Sequence, residues 1–506
     1  MANWYRFLTL AALAACSASP GRCEARVPAI LSSHMVLQRG RPIHIWGWAD
    51  PDERVSVAMR GVNRTAAANS LGQWSVYLPP QPAGGPYQLT VTANNNIALD
   101  DIMIGDVWFA SGQSNMEMPL KGFDGAPVKN GADEIHNANH PEIRLVLVRH
   151  KASDYPLREN DSKWMICSPE TAANFSAIAY FFGRELNQRE HVPIGLIDST
   201  WGGTVVEAWM SLEGISQDAS LMPLFATRAQ MTATIADMPA IIAQEKRQDA
   251  TAKKAGQPPP QHTWHPDPAS WAPDALYNGM VAPEVDYPIK GVIWYQGESN
   301  AKLAYAPMYA REFPALIADW RAKWHEGNLP FLFVQLANFT SSASENWAVI
   351  REAQRRTLAV ANTAMAVTID IGDPGNVHPA DKLTVGQRLA LAARALAYNE
   401  PVEYSGPLFR QASPDADGMR VWFDHAAGGL ASKGGDLTGF EIAGDDHRFV
   451  TATARIDNRS IVVTSPQVSA PKYVRYGWSN APVLNLYNSA GLPASPFTSE
   501  DAIPSP

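Results

Sequence analysis

Ser114 closes the run Gly105-Asp106-Val107-Trp108-Phe109-Ala110-Ser111-Gly112-Gln113-Ser114-Asn115-Met116, an apolar strand that runs into a tight glycine-containing turn. Such a turn presents a hydroxyl at a strand's end beside free backbone N–H groups. A serine hydroxyl is a poor nucleophile until a base takes its proton and donors hold the developing oxyanion, so the chemistry this placement invites is acyl transfer. A turn serine alone is more often a structural cap. The motif is not the Gly-x-Ser-x-Gly elbow of α/β-hydrolases, because Met116 replaces the second glycine. Glu298 could supply one carboxylate of a glycosidase pair, but its place at a strand end between Gly297 and Ser299 suits the positioning of loops better. His262 and His265 have a helical metal-ligand spacing yet sit in a proline-rich stretch, and Cys167 reads as a small buried hydrophobe.

The elements that must hold the serine follow from patterning. Residues 26–100 alternate short β-rich runs, such as Ile43-His44-Ile45-Trp46-Gly47-Trp48, with Pro/Gly/Asp turns, which predicts an N-terminal β-sandwich region. From Asp101 apolar strands alternate with amphipathic helices, the signature of a parallel sheet covered on both faces. Strands are predicted at 193–198, 291–295, 331–335 and 365–370, with helices near 179–189, 305–324, 346–360 and 381–397. Residues 101–400 are read as the catalytic domain, with a proline-rich insertion near 250–283 that reads as a long surface loop or lid, and 401–506 as a C-terminal β-rich region. Ligands bind at the carboxyl ends of strands in such sheets.

Gly-Gln-Ser-Asn-Met at 112–116, Trp201-Gly202-Gly203-Thr204, Trp294-Tyr295-Gln296-Gly297-Glu298-Ser299-Asn300 and Asp370-Ile371-Gly372-Asp373-Pro374-Gly375-Asn376-Val377-His378-Pro379 occur in this order. Together with the tail Tyr487–Phe497, the chain resembles the sialate O-acetylesterase-like branch of the SGNH hydrolases over most of its length. The resemblance implies an α/β fold with a flavodoxin-like three-layer α/β/α SGNH hydrolase core, accessory β-sandwich regions at both ends, cofactor-free and metal-free acyl-enzyme chemistry, and acetylated sugars as substrates. It makes Ser114 the nucleophile and Gly202-Gly203 a second source of oxyanion N–H groups, assigned to Gly203. Gln296 stands where these enzymes usually carry an Asn donor. His378 is the only histidine in such a block, and a histidine near the end of the last catalytic strand suits a general base with an ordinary pKa near about 6.5. Many relatives carry an Asp three residues before this histidine, where Gly375 stands here. Asp373 on the loop is preferred as the orienting acid, Asp370 at the strand end is the alternative, and a Ser-His dyad with a backbone acceptor is a third arrangement.

The implied function is a carbohydrate O-acetylesterase acting on plant hemicellulose oligosaccharides such as xyloglucan or xylan, or on O-acetyl sialic acid. An esterase for other small acyl esters and a non-catalytic sugar-binding surface protein are the alternatives. The net charge of −9 comes from dispersed acids, and no Lys/Arg block tracks phosphates, which excludes nucleic acid as the expected partner. No run of about 18 apolar residues follows the start, so no membrane span is expected. Residues 1–25 read as an export leader and point to the periplasm. Leu13-Ala14-Ala15-Cys16 also matches a lipobox, in which case Cys16 would carry a lipid anchor. Cleavage after Ala25 would leave Cys167 as the one cysteine and no intrachain disulfide.

Overall fold

The computed structural model describes residues 24–503 apart from 261, 263–267, 303–304 and 417. Residues 1–23 of the expected leader, with Cys16 and Cys23, and also His265, lie outside the described residues.

A mixed sheet organises the chain. Its catalytic part runs in the spatial order Thr363–Ala366, Phe331–Val334, Gly291–Tyr295, Asn96–Gly112, Ile194–Thr200, His140–Leu147 and Met165–Cys167. All these neighbours pair in parallel except the last pair, which is antiparallel. The central strand is buried on both faces, as its unbroken apolar run demands. Trp108 meets Phe182 of the helix Ala177–Glu190 at 5.0 Å, whereas the next residue, Phe109, meets Trp320 and Trp324 of the helix Tyr309–Trp324 at 5.6 and 5.2 Å. Adjacent residues of one strand thus carry helices onto opposite faces. Burying each such ring contributes roughly 2–3 kcal/mol.

The strand Asn96–Gly112 is 17 residues long and crosses the expected boundary near residue 100. Its first half pairs with Gly84–Thr92 and with Val36–Gln38, and its second half forms the middle of the catalytic sheet. The pair Ile43–Trp48 and Gln73–Leu78 forms a separate two-stranded sheet. Beyond residue 407 the chain makes small antiparallel sheets around a core of their own, including Val421, Ile442, Ile461, Val474 and Phe497.

Two differences from the sequence reading have physical causes. Residues 223–254 form a 32-residue helix with Pro239 inside it. Its sequence, rich in alanine, glutamine and threonine, carries almost no apolar periodicity, so nothing marked it as a helix. The expected surface insertion is also only half on the surface, because Asp274, Leu276, Asn278, Met280 and Val281 are buried. Among the described residues no helix is long and apolar enough to cross a membrane.

Candidate active site

Register brings the sequence blocks together. Gly112 pairs with Thr200 on one side and Tyr295 on the other, so three parallel strands end level. The residues just past this row are Gln113-Ser114, Trp201-Gly202-Gly203 and Gln296-Gly297-Glu298, which therefore converge on one point. Gly112 has φ +132°, and a Cβ there would lie 2.1 Å from the Tyr295 carbonyl oxygen, so only glycine lets the central strand pass this close and turn. Ser114 then opens the short helix Ser114–Glu117.

The fourth block arrives from the outer edge. After Thr363–Ala366 the chain forms two consecutive side-chain turns. Asp373 Oδ1 accepts the Gly375 N–H at 2.8 Å, and Asn376 Oδ1 accepts the His378 N–H at 2.9 Å. The loop ends where Asp381 caps the helix Lys382–Leu396 by accepting the Thr384 N–H at 3.0 Å. His378 Nε2 consequently stands 2.9 Å from Ser114 Oγ, with the ring edge of Phe123 against the imidazole at 5.2 Å between centroids. Burial, the Lys382 ammonium and, in the opposite sense, Glu117 bring the His378 pKa down to about 4. Its imidazole is then neutral at pH 7 and able to accept a proton.

The N–H groups of Ser114, Gly202 and Gly203 have no protein acceptor among the described residues. A Cβ on Gly202 would come within 3.2 Å of the Ser114 Cβ and 2.7 Å of Glu117 Oε2. The glycine therefore keeps open the space beside the Ser114 side chain.

The other predicted residues sit differently. Gln296 is fully buried, and its amide donates to the Thr204 carbonyl at 3.2 Å and to Asn300 Oδ1 at 2.7 Å. One N–H thus holds the Thr204 carbonyl of the Gly202-Gly203-Thr204 turn and the other holds Asn300, so in this structure both amide donors of the expected oxyanion donor are engaged by the protein. Asp373 is not brought to His378, because its carboxylate closes its own turn on Gly375. Asp370 is held in a two-point clamp by Arg388 at 2.7 and 2.8 Å. Glu298 is buried and accepts the Asn115 amide at 2.6 Å, which fits the positioning role rather than a glycosidase carboxylate. Trp108, Trp294 and Tyr295 are core residues, and only Trp201 of that group is partly exposed. Burial pushes the Cys167 thiol up to about 12, where it is inert.

Sequence reasoning missed two groups. Asn115, adjacent to Ser114, donates to the Val377 carbonyl at 2.9 Å, adjacent to His378, and so ties the two loops directly. The Lys382 ammonium, 1% exposed, donates to Asn115 Oδ1 at 2.5 Å, and burial brings its pKa down to about 7. The second group is Glu117, one turn after Ser114, which pairs with His150 at 3.0 Å while that imidazole stacks on Trp201 at 4.4 Å. The i+3 spacing of Glu117 from Ser114 was a readable signal; the contribution of His150, from a loop far away in sequence, had none.

Comparison with known proteins gives the class, a carboxylic-ester hydrolase with a carbohydrate substrate. The sequence profile of the family described as "Carbohydrate esterase, sialic acid-specific acetylesterase" matches residues 261–395. Sialate O-acetylesterase of Rattus norvegicus is 30% identical over 94% of this chain and 94% of its own length, and that of Homo sapiens is 32% identical over 76% and 73%. The crystal structure of a carbohydrate acetylesterase from Xanthomonas citri superimposes with a TM-score of 0.81 at 38% identity, covering 94% of this chain and all of that one. The chain belongs to the sialate O-acetylesterase family and is a carbohydrate O-acetylesterase.

Proposed function

We propose that the enzyme removes acetyl groups from neutral hemicellulose oligosaccharides such as xyloglucan or xylan through a Ser114 acyl-enzyme, with His378 as general base. The observation that carries this reading is the 2.9 Å approach of His378 Nε2 to Ser114 Oγ beside the free N–H groups of Ser114 and Gly203. His378 takes the Ser114 proton as Oγ attacks the acetyl carbonyl carbon. The Ser114 and Gly203 N–H groups hold the oxyanion, and the bond to the sugar oxygen breaks as the imidazolium returns its proton to that oxygen. Water, deprotonated by His378, then attacks the acyl-serine and releases acetate. The helices on both faces of the parallel sheet support an SGNH-type three-layer core, flanked by accessory β-sandwich regions, and the leader expected at residues 1–25 would direct export to the periplasm. Two basic side chains beside Ser114 are engaged by the protein, His150 by Glu117 and Lys382 by Asn115, which supports a neutral sugar over sialate.

The test is acetate release from acetylated xyloglucan oligosaccharides, acetylated xylan and O-acetyl sialic acid. Release from the neutral substrates is expected; release from O-acetyl sialic acid alone would overturn the substrate assignment.

Two further results follow from the geometry. Asp373→Ala is expected to lower kcat by less than about tenfold, since no step passes through its carboxylate, whereas loss of an orienting triad acid costs about 10⁴. Steady-state kinetics checks this. The acidic limb of kcat/KM is expected near pH 4, because His378 must be neutral to act and its pKa lies at about 4. Lys382→Met removes a cation that holds this value down, so the limb is expected to move upward. The groups facing the imidazole are Ser114, Glu117, Phe123 and Lys382. An unmoved limb in the pH profile would mean that Lys382 acts by packing alone.

A further inference from the structure

The strand pair Ile43–Trp48 and Gln73–Leu78 carries an aromatic row that the esterase site does not use. Alternation turns Ile43, Ile45, Trp74, Val76 and Leu78 into the core, and cross-strand register sets His44 opposite Tyr77, Trp46 opposite Ser75, and Trp48 opposite Gln73. The His44 ring is stacked between Trp46, at 4.7 Å, and Tyr77, at 4.4 Å with 4° between planes. It cannot turn, because its nitrogens meet the Asp286 carbonyl at 2.9 Å and Ser75 Oγ at 2.8 Å. Tyr77 is nevertheless 59% exposed. A rigidly backed aromatic ring left open to solvent forgoes burial that would have stabilised the fold, which asks for a ligand.

This sheet face and the segments around residues 157–158 and 282–286 enclose a cleft of 390 Å³, within the span of small-molecule pockets, about 300–1,000 Å³. Trp46, Trp48 and Tyr77 supply ring surface along it, and Gln73, Ser75 and Arg158 supply hydrogen-bonding groups. Charges of both signs lie around it. The Arg26 guanidinium lies 3.9 Å over the Trp48 ring and pairs with Glu159 at 2.9 Å, and Asp286 lines the same cleft as Arg158. Ring faces for C–H surfaces and amide and hydroxyl groups for alcohols, with one basic and one acidic side chain, Arg158 and Asp286, on the same lining, match a neutral pyranose chain.

We propose that this cleft is a second carbohydrate-binding site, taking a neutral pyranose chain and separate from the esterase centre. The inference rests on the reading of neutral polysaccharide as substrate. Its effect is to keep the polymer at the enzyme while Ser114 works along it, a gain in effective concentration rather than in chemistry.

The test uses the full chain in native gels containing deacetylated xyloglucan, with a polygalacturonate gel as the charged control. The wild type and Ser114→Ala are expected to be retarded equally by xyloglucan, and Tyr77→Ala to migrate as in a gel without polysaccharide. Tyr77→Ala should keep its kcat/KM on 4-nitrophenyl acetate within about twofold, showing that it folds, while its KM for acetylated xyloglucan rises by about threefold or more at unchanged kcat. Retardation of Tyr77→Ala equal to that of the wild type, no retardation of the wild type, or retardation only by polygalacturonate would each overturn the proposal. Retardation that depends on Tyr77 in a protein that releases no acetate from neutral substrates would sink the substrate reading and leave the second site standing.

Discussion

Replacement of Ser114 by alanine is expected to lower kcat on carbohydrate acetates by about 10⁴-fold or more, a loss of at least about 5.5 kcal/mol of transition-state stabilisation. In the proposed mechanism this hydroxyl forms the new bond to the acetyl carbon, and the other candidate groups described above cannot take its place. The Glu298 carboxylate is buried against Asn115, and Cys167 is a buried, protonated thiol. His378→Ala should cost nearly as much, because without the imidazole 2.9 Å away the serine keeps its proton. The double variant should be no worse than either single one, since nucleophile and base act as one unit. Residual activity would come from the N–H donors and from binding. Initial rates with circular dichroism spectra of each variant check this, and a Ser114→Ala enzyme within tenfold of the wild type would remove Ser114 from the mechanism.

The second large effect concerns stability. Arg351 is fully buried in the helix Trp347–Thr357, and its guanidinium donates to four carbonyl oxygens. Two belong to Leu336 and Ala337, past the end of the strand Phe331–Val334, and two to Ser479 and Asn480 of the C-terminal region, at 2.6–2.9 Å. Burial of the cation opposes this arrangement and brings its pKa down to about 9. Hydrogen bonds to a charged group contribute about 1.5–3 kcal/mol each, and desolvating the charge costs several kcal/mol, so the net is favourable by about 3 kcal/mol. Arg351→Met leaves those carbonyls unpaired and is expected to destabilise the protein by about that amount. Urea denaturation should show a lower midpoint, with the C-terminal region becoming protease-sensitive first. An unchanged midpoint would mean that the C-terminal region is held by its other contacts.

Much of the catalytic sheet was legible because its strands are buried on both faces and read as plain apolar runs, such as Val107–Ala110 and Gly291–Tyr295. Ser114 and His378 came from separate blocks, and the fold brings them within hydrogen-bond distance. Sequence could not show how each polar side chain spends its bonds. Gln296 sits at the expected strand end, yet its donors are consumed by Thr204 and Asn300. Asp373 lies five residues from His378, but a carboxylate two residues before an available N–H closes a local turn. Lys382 follows four residues after His378 and reads as an exposed helix-start lysine, and only the packing of its helix against the site reveals a buried cation.

The strand Asn96–Gly112 also has a consequence for how the protein is made. Its first half can zip onto Gly84–Thr92 as soon as both leave the ribosome, because they adjoin in the chain. The second half must wait, since its partners Ile194–Thr200 and Gly291–Tyr295 are synthesised much later. In that interval an anchored, apolar strand carrying the nucleophile turn presents both unpaired edges to whatever is nearby. The nascent chain is therefore most prone to wrong pairing at the segment that later forms its catalytic centre, and a holding chaperone would find its best target there.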